Sequence, residues 1–253
     1  MTIYNGPVVP LKRRGSKTYE IKAAANDEAE VWLYGMIGDS WEGTTGKQFA
    51  DDLKALGKSI KTLNVYINSP GGSAFDGVAI HNVLKRHNAR KIVQIDGVAA
   101  SIASVVAMAG DEIRIAENGM MMIHDPWALA MGNSADLRKM AEALDKVRDA
   151  ILSSYVARTT TGEEQLQAWM ADETWFTAAE AVSAGLADEI SGSVAMAAFA
   201  NLDLSPYKHP PQDLIEAAQQ QPENEPDAAS PHSAVAVMAT RVMARGLGRQ
   251  ETA

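Results

Sequence analysis

The sequence contains no cysteine and no long apolar run. The first absence excludes disulfide bonds, thiol nucleophiles and cysteine-ligated zinc, and it fits a reducing compartment. No uninterrupted run approaches the ~18 apolar residues of a membrane-spanning helix. The N-terminal segment also lacks the apolar stretch of about 7–15 residues that follows the basic start of a secretory signal. We therefore expect a soluble, cytoplasmic protein with no membrane association.

Positive charge is in the minority: 23 Lys and Arg face 32 Asp and Glu, for a formal net charge of −9. This balance argues against a nucleic-acid-binding surface, where a basic face is expected. The 253 residues, with 46% hydrophobic and 22% charged residues, suffice for one sizeable core or two small ones.

The composition divides the chain into zones. Residues 1–27 are mixed and polar, which indicates an N-terminal arm or edge element, and residues 28–200 carry the regular apolar pattern of a folded domain. Residues 201–233 hold six of the ten prolines together with glutamines and acids, and we interpret them as a linker. Residues 234–253 are a tail that could form a short helix.

Within the central zone, predicted strands alternate with predicted helices. This alternation indicates an α/β fold with a largely parallel sheet covered on its faces. Strands are predicted at 29–37, 63–69, 91–97, 112–116 and 120–124, and helices at 45–56, 73–87, 101–109 and about 134–157.

The long helix predicted at 134–157 has a narrow apolar face. Its apolar residues recur at spacings of 3, 4, 3 and 4, which is close to the spacing of coiled-coil contacts. This face could pack on its own domain or form a subunit interface. The residues are Leu137, Met140, Leu144, Val147 and Ile151.

The stretch INSPGGS at 67–73 is where a predicted strand turns into a helix. Its two glycines let the backbone approach a ligand closely and point N–H groups outward. No lysine follows them, so the stretch does not make a phosphate-binding loop. A plain strand–helix turn is the alternative.

The stretch GVAASIAS at 97–104 contains two serines three residues apart. Ser101 is predicted at a strand–helix junction, where free backbone amides and the positive end of the helix dipole surround its hydroxyl. A nucleophilic serine uses such a setting, although the pattern here is not GxSxG. Close packing of small residues is the other interpretation.

Of the five histidines, only His124 ends an apolar strand before a loop. The other four lie on a polar helix face or in the predicted linker. A lone histidine is often structural, but a parallel sheet would bring Ser101 and His124 to the same edge. This pair is therefore our candidate nucleophile and general base.

Four motifs in register resemble the Clp-type serine peptidases, the proteolytic subunit of Clp. They are YINSPGG, GVAAS, MMIH and WFTAAEAVSAGLADEI, with Ser101 twenty-nine residues after Gly72, and they extend over residues 28–192. Within that family, DPW after the histidine and ETWFTAAEA are most similar to the Clp-related head-maturation (prohead) proteases of tailed phages and prophages. The resemblance implies the Clp peptidase/crotonase-like α/β fold, with repeated strand-strand-helix units and a protruding long helix.

The resemblance also implies roles, residue by residue. Ser101 would attack the peptide carbonyl, and His124 would accept its proton and later protonate the leaving amine. The amides of Gly72 and Ile102 would hold the oxyanion, with each donor worth roughly 3–4 kcal/mol in related chemistry. Ser104 would pack without a catalytic role. No metal and no cofactor is implied.

The third triad position departs from the family pattern. The family has an Asp two residues before the Phe of the block that matches FTAAEAV, and we align Thr174 there. Asp172 is held in reserve, since alternate side chains of an extended segment share a face. On that argument Glu173 points the opposite way, and Asp125 is too close to His124 in sequence. With Thr174, the enzyme should be slower than one with a full triad.

The family assembles as rings, so the resemblance implies a homo-oligomeric ring of six or seven subunits, single or double. The helix at 134–157 matches the segment that joins two rings in the Clp peptidase. Partners would be protein or peptide substrates, in the phage case capsid or scaffold proteins. The tail after residue 200 is either disordered or an arm that binds scaffold or shell and is removed by the protease itself.

A serine endopeptidase that processes phage head proteins is the predicted function, and three alternatives stay open. One is a general peptidase fed by a separate unfolding ATPase. Another is a catalytically inactive structural relative, which the Thr174 departure would favour. The last is an acyl-CoA enzyme, since the crotonase group shares the fold, but that chemistry needs no serine nucleophile.

Overall fold

The computed structural model describes residues 19–38, 45–57, 59–192 and 203–219. Eight strands and seven helices form within these residues. The strands are β1 (Tyr19–Ala23), β2 (Glu28–Tyr34), β3 (Thr62–Ser69), β4 (Arg90–Ala100), β5 (Glu112–Ala116), β6 (Met120–Ile123), β7 (Thr174–Thr177) and β8 (Glu189–Ser191). The helices are α1 (Gly46–Ala55), α2 (Ala74–Arg86), α3 (Ile102–Ala107), α4 (Ser134–Val156), α5 (Glu163–Ala171), α6 (Ala178–Ser183) and α7 (Gln212–Gln219).

Parallel strands make up the centre of the sheet. Its main order is β1-β2-β3-β4-β5-β8, in which only β1 is antiparallel to its neighbour. The long strand β4 pairs with β5 through Ile95, whereas Val98–Ala100 pair with β6 instead. Strand β7 then pairs with β6 in antiparallel fashion. This arrangement confirms the predicted α/β fold with a largely parallel sheet.

The sequence pattern explains why the central strands are buried. On β3, Leu63, Val65 and Ile67 are fully inaccessible, as expected of a parallel strand covered by helices. Helix α2 begins at Ser73, whose side chain accepts from the Asp76 amide. It then buries Gly77, Ile80 and Leu84 against the sheet and α3.

Helices α2 and α3 approach each other closely at Gly77. A Cβ at Gly77 would lie 2.2 Å from Cγ1 of Ile102, so only glycine fits there without displacing the neighbour. This contact fixes the start of α3 against α2. Strand β4, predicted to end at 97, continues to Ala100, so the GVAA of GVAASIAS is strand and only the residues after Ser101 are helix.

The long helix α4 packs through its C-terminal end. Ile151, Leu152 and Tyr155 are buried, whereas Leu137 near its start is 44% exposed. Of the predicted apolar face, only Ile151 is buried in the single chain. The helix begins at a capping box, in which Asn133 accepts from the first-turn amides and Asp136 accepts from the Asn133 amide. No helix in the described part of the chain is long and apolar enough to cross a membrane.

The structure differs from the linker interpretation at residues 203–219. This segment contains α7 and buries Leu204 and Leu214 against Met120, Trp175 and Tyr207. The averaged composition of residues 201–233 hid the apolar residues Leu204, Tyr207 and Leu214 among prolines and polar residues. The rest of that zone, the predicted tail at 234–253 and residues 1–18 of the predicted arm lie outside the described residues.

Candidate active site

Sheet register brings three strand ends to one edge. Ser69 of β3 pairs with Ala99 of β4, and Ala99 pairs with Met121 of β6. The chain therefore leaves the sheet at neighbouring points toward the PGG turn, Ser101 and His124. This is the edge at which ligands bind in open parallel sheets, beyond the carboxyl ends of the strands.

Ser101 lies between β4 and α3 in an unusual backbone conformation. Its φ is 54° and its ψ is −128°, a region that costs a residue with a side chain of order 1–3 kcal/mol. Its N–H donates to the Met122 carbonyl at 2.9 Å, which ties the turn to β6. The turn directs the Ser101 Oγ to 2.7 Å from Nε2 of His124.

Ser104 supports this turn with its side chain. Its hydroxyl donates to the Ser101 carbonyl at 2.5 Å and lies 2.7 Å from the Tyr155 hydroxyl. Both Ser104 and Tyr155 are buried. Ser104 thus packs in the core, as expected. It also connects the strained Ser101 to Tyr155 of helix α4, a contact that the three-residue spacing of the two serines did not indicate.

We expect Ser104→Ala to lower the free energy of unfolding by about 1–3 kcal/mol, because it leaves a buried Tyr155 hydroxyl unpaired. The change in stability is measured by urea denaturation followed by circular dichroism. The double variant Ser104→Ala/Tyr155→Phe removes both partners and should recover part of the loss. A Ser104→Ala chain as stable as the parent would contradict this account.

The His124 imidazole is half-buried, and groups from three separate stretches of the chain act on it. Ser101 contacts Nε2, the Tyr207 ring packs edge-on at 5.4 Å between centroids, and the charges of Glu173 and Lys208 act on the ring. Burial lowers its pKa from 6.5 to about 4, the Glu173 carboxylate opposes this shift, and Lys208 adds to it. The imidazole is therefore neutral at pH 7, as a general base must be.

We expect His124 to titrate near pH 4 in the intact chain, well below the ordinary value of 6.5. Because its pKa is lowered on folding, the ring stays neutral as pH falls from 7 through 6.5 and becomes charged only near 4. NMR of chain labelled with ¹³C at histidine Cε1 measures this, with His124→Gln identifying the signal. A titration at or above pH 6.5 would contradict the burial argument.

The carboxylate beside His124 is that of Glu173. Ile123 and Thr174 form the last pair of the antiparallel β6–β7 ladder, so His124 follows the end of β6 and Glu173 precedes the start of β7 at the same end of that ladder. Glu173 is 7% exposed, and its charge raises the pKa of His124. No hydrogen bond joins the two in the described residues; Oε1 of Glu173 instead accepts from the His209 amide at 2.7 Å.

The backbone of Glu173 departs from the extended form on which the alternation argument depended. Helix α5 runs to Ala171 and is capped by Asp172, and Glu173 has a φ of 52°. That left-handed position after a helix usually carries glycine or asparagine. A buried glutamate there is a strained exception, and such exceptions concentrate at functional sites.

Neither residue predicted for the third position has a side-chain hydrogen bond to His124 in the described part of the chain. Thr174 donates its hydroxyl to the Trp169 carbonyl at 2.8 Å, and Asp172 is exposed at the end of α5. Asp125, next to His124, has its pKa raised mainly by burial, while Arg148 of α4 lowers it. The structure therefore brings Ser101 and His124 together, with Glu173 as the carboxylate that sequence reasoning set aside.

The PGG turn presents a backbone amide toward the serine. Ile37 donates to the Gly71 carbonyl and accepts from the Ser73 amide, both at 2.8 Å, so the N–H of Gly72 points away from Ile37, to the β4 side. Gly72 has a φ of 143°, and a Cβ there would lie 2.0 Å from the Ile37 carbonyl oxygen. Ile102 begins α3, where first-turn amides lack helical acceptors.

An aromatic cluster beside the serine was missed by the sequence reasoning. The Tyr207 ring packs edge-on against Trp175 at 5.8 Å and contacts an apolar group formed by Val98, Ala100 and Met122. Residue type alone carried no signal for this, because Tyr207 lies in the zone interpreted as linker. Among the described residues, no group of three or more His, Asp or Glu side chains could hold a metal ion.

The arrangement can activate a hydroxyl for attack on a carbonyl. A serine oxygen within hydrogen-bond distance of a neutral imidazole can transfer its proton as it forms a bond to carbon. Backbone amides near the attacked carbon can bind the oxygen that becomes negative. The buried carboxylate of Glu173 can stabilise the positive imidazolium formed in that step.

Comparison of this sequence with known proteins shows the family to which the chain belongs. Residues 13–194 match the family described as Clp protease. Among curated relatives, the ATP-dependent Clp protease proteolytic subunit of Deinococcus radiodurans is 28% identical over 187 residues, which cover 72% of this chain and 90% of the relative. The segment 203–219 lies beyond the matched residues.

Proposed function

The chain belongs to the Clp protease family, and from that premise we propose that it is a serine endopeptidase in which Ser101 is the nucleophile and His124 the general base. The observation that carries the proposal is the 2.7 Å contact between Ser101 Oγ and His124 Nε2. Strained backbone conformations concentrate at functional sites, so a strained Ser101 in contact with a neutral imidazole favours an active enzyme over an inactive relative.

In the proposed mechanism, His124 accepts the Ser101 proton as the serine oxygen attacks the scissile carbonyl. The amides of Gly72 and Ile102 bind the oxyanion, and Glu173 stabilises the imidazolium by its charge. His124 then gives the proton to the leaving amine, and water hydrolyses the acyl-serine by the same steps. No metal or cofactor takes part.

Labelling with a serine-directed fluorophosphonate tests the assignment. We expect the label on Ser101 in a peptide identified by mass spectrometry, and we expect His124→Ala to suppress it. His87→Ala is the matched histidine control and should label like the parent. A label on another serine, or none under any condition, would overturn the proposed function.

The cellular role that we propose is the processing of capsid or scaffold proteins during phage head maturation. It is supported by DPW after His124 and by ETWFTAAEA at 173–181, which are most similar to the phage-encoded members of the family. Purified chain incubated with purified capsid and scaffold proteins of a tailed phage should cleave them in preference to casein. Equal cleavage of casein would favour a general peptidase that depends on a separate ATPase.

We also propose that the chain assembles into a ring of six or seven subunits. Apolar side chains are exposed from the loop before α4 into its first turn, and a groove of about 270 Å³ opens between α2 and α4. Exposed patches of this kind mark subunit contacts. The exposed residues are Trp127, Leu129, Met131 and Leu137, and the groove is lined by Ala74, Phe75, Val78, Lys146, Val147 and Ala150.

Light scattering at micromolar concentration is expected to give a mass of at least six chains of 27.1 kDa. Met131→Glu, at a side chain that is 86% exposed, should reduce the mass by introducing charge at the contact. Ser183→Glu, an exposed position at the end of α6, is the control and should leave the mass unchanged. A monomeric mass for the parent would refute the ring.

A further inference from the structure

The C-terminal segment, residues 203–219, lies across the edge of the sheet that carries Ser101 and His124. Leu204 and Leu214 anchor it, and both are buried against Met120 and Trp175. Helix α7 supplies Leu214 and begins after two prolines. The segment is therefore held by apolar burial at two points on either side of Tyr207.

Tyr207 reaches the residues that surround the candidate nucleophile. Its ring is edge-on to His124 at 5.4 Å, and its hydroxyl donates to the Pro70 carbonyl. A Cβ built on Gly71 would lie 3.2 Å from the Tyr207 oxygen and 2.8 Å from the Ser101 Cβ. The phenol thus stands at the mouth between the PGG turn and Ser101.

The residues after Tyr207 engage the charged part of the site. The His209 amide donates to Oε1 of Glu173 at 2.7 Å, so the segment holds the carboxylate whose charge raises the pKa of His124. The charge of Lys208 acts on both His124 and Asp125. One short segment therefore contacts or acts on the PGG turn, the imidazole and the carboxylate together.

A substrate peptide would bind to the same backbone groups and apolar surface that the C-terminal segment contacts. An extended peptide pairs its backbone with free carbonyl and amide groups at a strand end and inserts side chains into adjacent pockets. The Pro70 carbonyl is such an acceptor, and Tyr207 uses it. The Tyr207 ring packs against an apolar surface that includes Ala100, Met122 and Trp175, the kind of surface that receives a large apolar side chain of a bound peptide.

We propose that the C-terminal segment is a built-in ligand of the substrate cleft, with Tyr207 where a substrate would place a large aromatic or apolar side chain beside Ser101. This rests on the proposed function, since it assigns the occupant of that same site. Substrate binds only after the segment leaves. Because the segment is covalently attached, its effective concentration is in the millimolar range, so weak docking suffices to compete.

The test uses full-length chain and the rate of fluorophosphonate labelling at Ser101. Tyr207→Ala is expected to label about tenfold faster than the parent, which corresponds to the loss of one docking contact. Tyr207→Phe keeps the ring but not the bond to the Pro70 carbonyl and should fall between the two. Ser205→Ala, exposed on the same segment, is the matched control and should label at the parent rate.

A second variant and a second measurement distinguish release of the C-terminal segment from misfolding of the Tyr207→Ala chain. Leu214→Ala removes an anchor that touches neither Ser101 nor His124, and it should also accelerate labelling. Hydrogen exchange should find the His209 amide protected in the parent and exposed in both Tyr207→Ala and Leu214→Ala.

The outcomes separate the two proposals. Equal labelling rates in the parent, Tyr207→Ala and Leu214→Ala would overturn the built-in ligand while leaving the serine peptidase intact. Fast exchange at the His209 amide of the parent would overturn it as well. Absence of label on Ser101 in every variant would instead overturn the proposed function.

Discussion

Replacing Ser101 with Ala is expected to lower kcat for peptide hydrolysis by about 10⁶-fold, because it removes the hydroxyl that contacts His124 and that forms the proposed acyl intermediate. His124→Ala should cost nearly as much, since the serine hydroxyl is a weak nucleophile without a base. The double variant should be no slower than either single variant, because the two residues act as one unit and their effects do not add.

The measurement is hydrolysis of a fluorogenic peptide with a large apolar residue before the scissile bond. It is made in the parent background and in Tyr207→Ala, so that docking of the C-terminal segment does not limit the rate. Ser183→Ala, an exposed serine, is the control and should retain full activity. A Ser101→Ala chain within tenfold of the parent would remove Ser101 from the mechanism.

Replacing Glu173 with Gln is expected to lower kcat by about 10³–10⁴-fold with little change in KM. Gln keeps the volume of the side chain and can still accept from the His209 amide. It removes the negative charge that raises the pKa of His124, so the imidazolium formed during attack loses its compensating charge. The pKa of His124 should therefore fall further in Glu173→Gln.

Two neighbours serve as comparators for Glu173. Thr174→Ala removes a hydroxyl that donates to the Trp169 carbonyl, so it should affect stability more than catalysis. Asp172→Ala changes an exposed helix cap and should leave kcat within a few-fold of the parent. Full activity of Glu173→Gln would show that the Glu173 carboxylate does not stabilise the His124 imidazolium. Loss of cleavage in Asp172→Ala alone would assign that role to Asp172 instead.

Much of the fold follows from local patterns. Helices α1, α2 and α4 form within about two residues of their predicted ranges, because apolar spacing and capping residues such as Ser73 and Asn133 act over a single turn. The strands β3 and β4 are recognised by short stretches rich in apolar residues, as in Leu63, Val65 and Ile67, for the same reason. Composition fails where a few anchors determine packing, as Leu204 and Leu214 do in a segment rich in proline.

Some residues of the candidate site also follow from local patterns, and others depend on the assembled fold. Ser101 at a strand–helix junction and His124 at a strand end follow from the order of elements and the meeting of parallel strand ends at one edge. The carboxylate that we propose as the third member, Glu173, does not follow, because the alternation of side chains assumes an extended backbone. Glu173 sits at a positive φ after a helix, and residue type alone gives no sign of that conformation.

Local patterns predict the α/β alternation, the junction at Ser101 and the histidine that follows β6, since each depends on neighbours within a few residues. The assembled fold was needed to show that the charge of Glu173 acts on His124, that Tyr155 supports Ser104, and that Tyr207 packs against His124. Those contacts join residues far apart in the chain, and they depend on strand register and on strained backbone angles. Such features arise when the whole sheet is assembled, so local propensity cannot specify them.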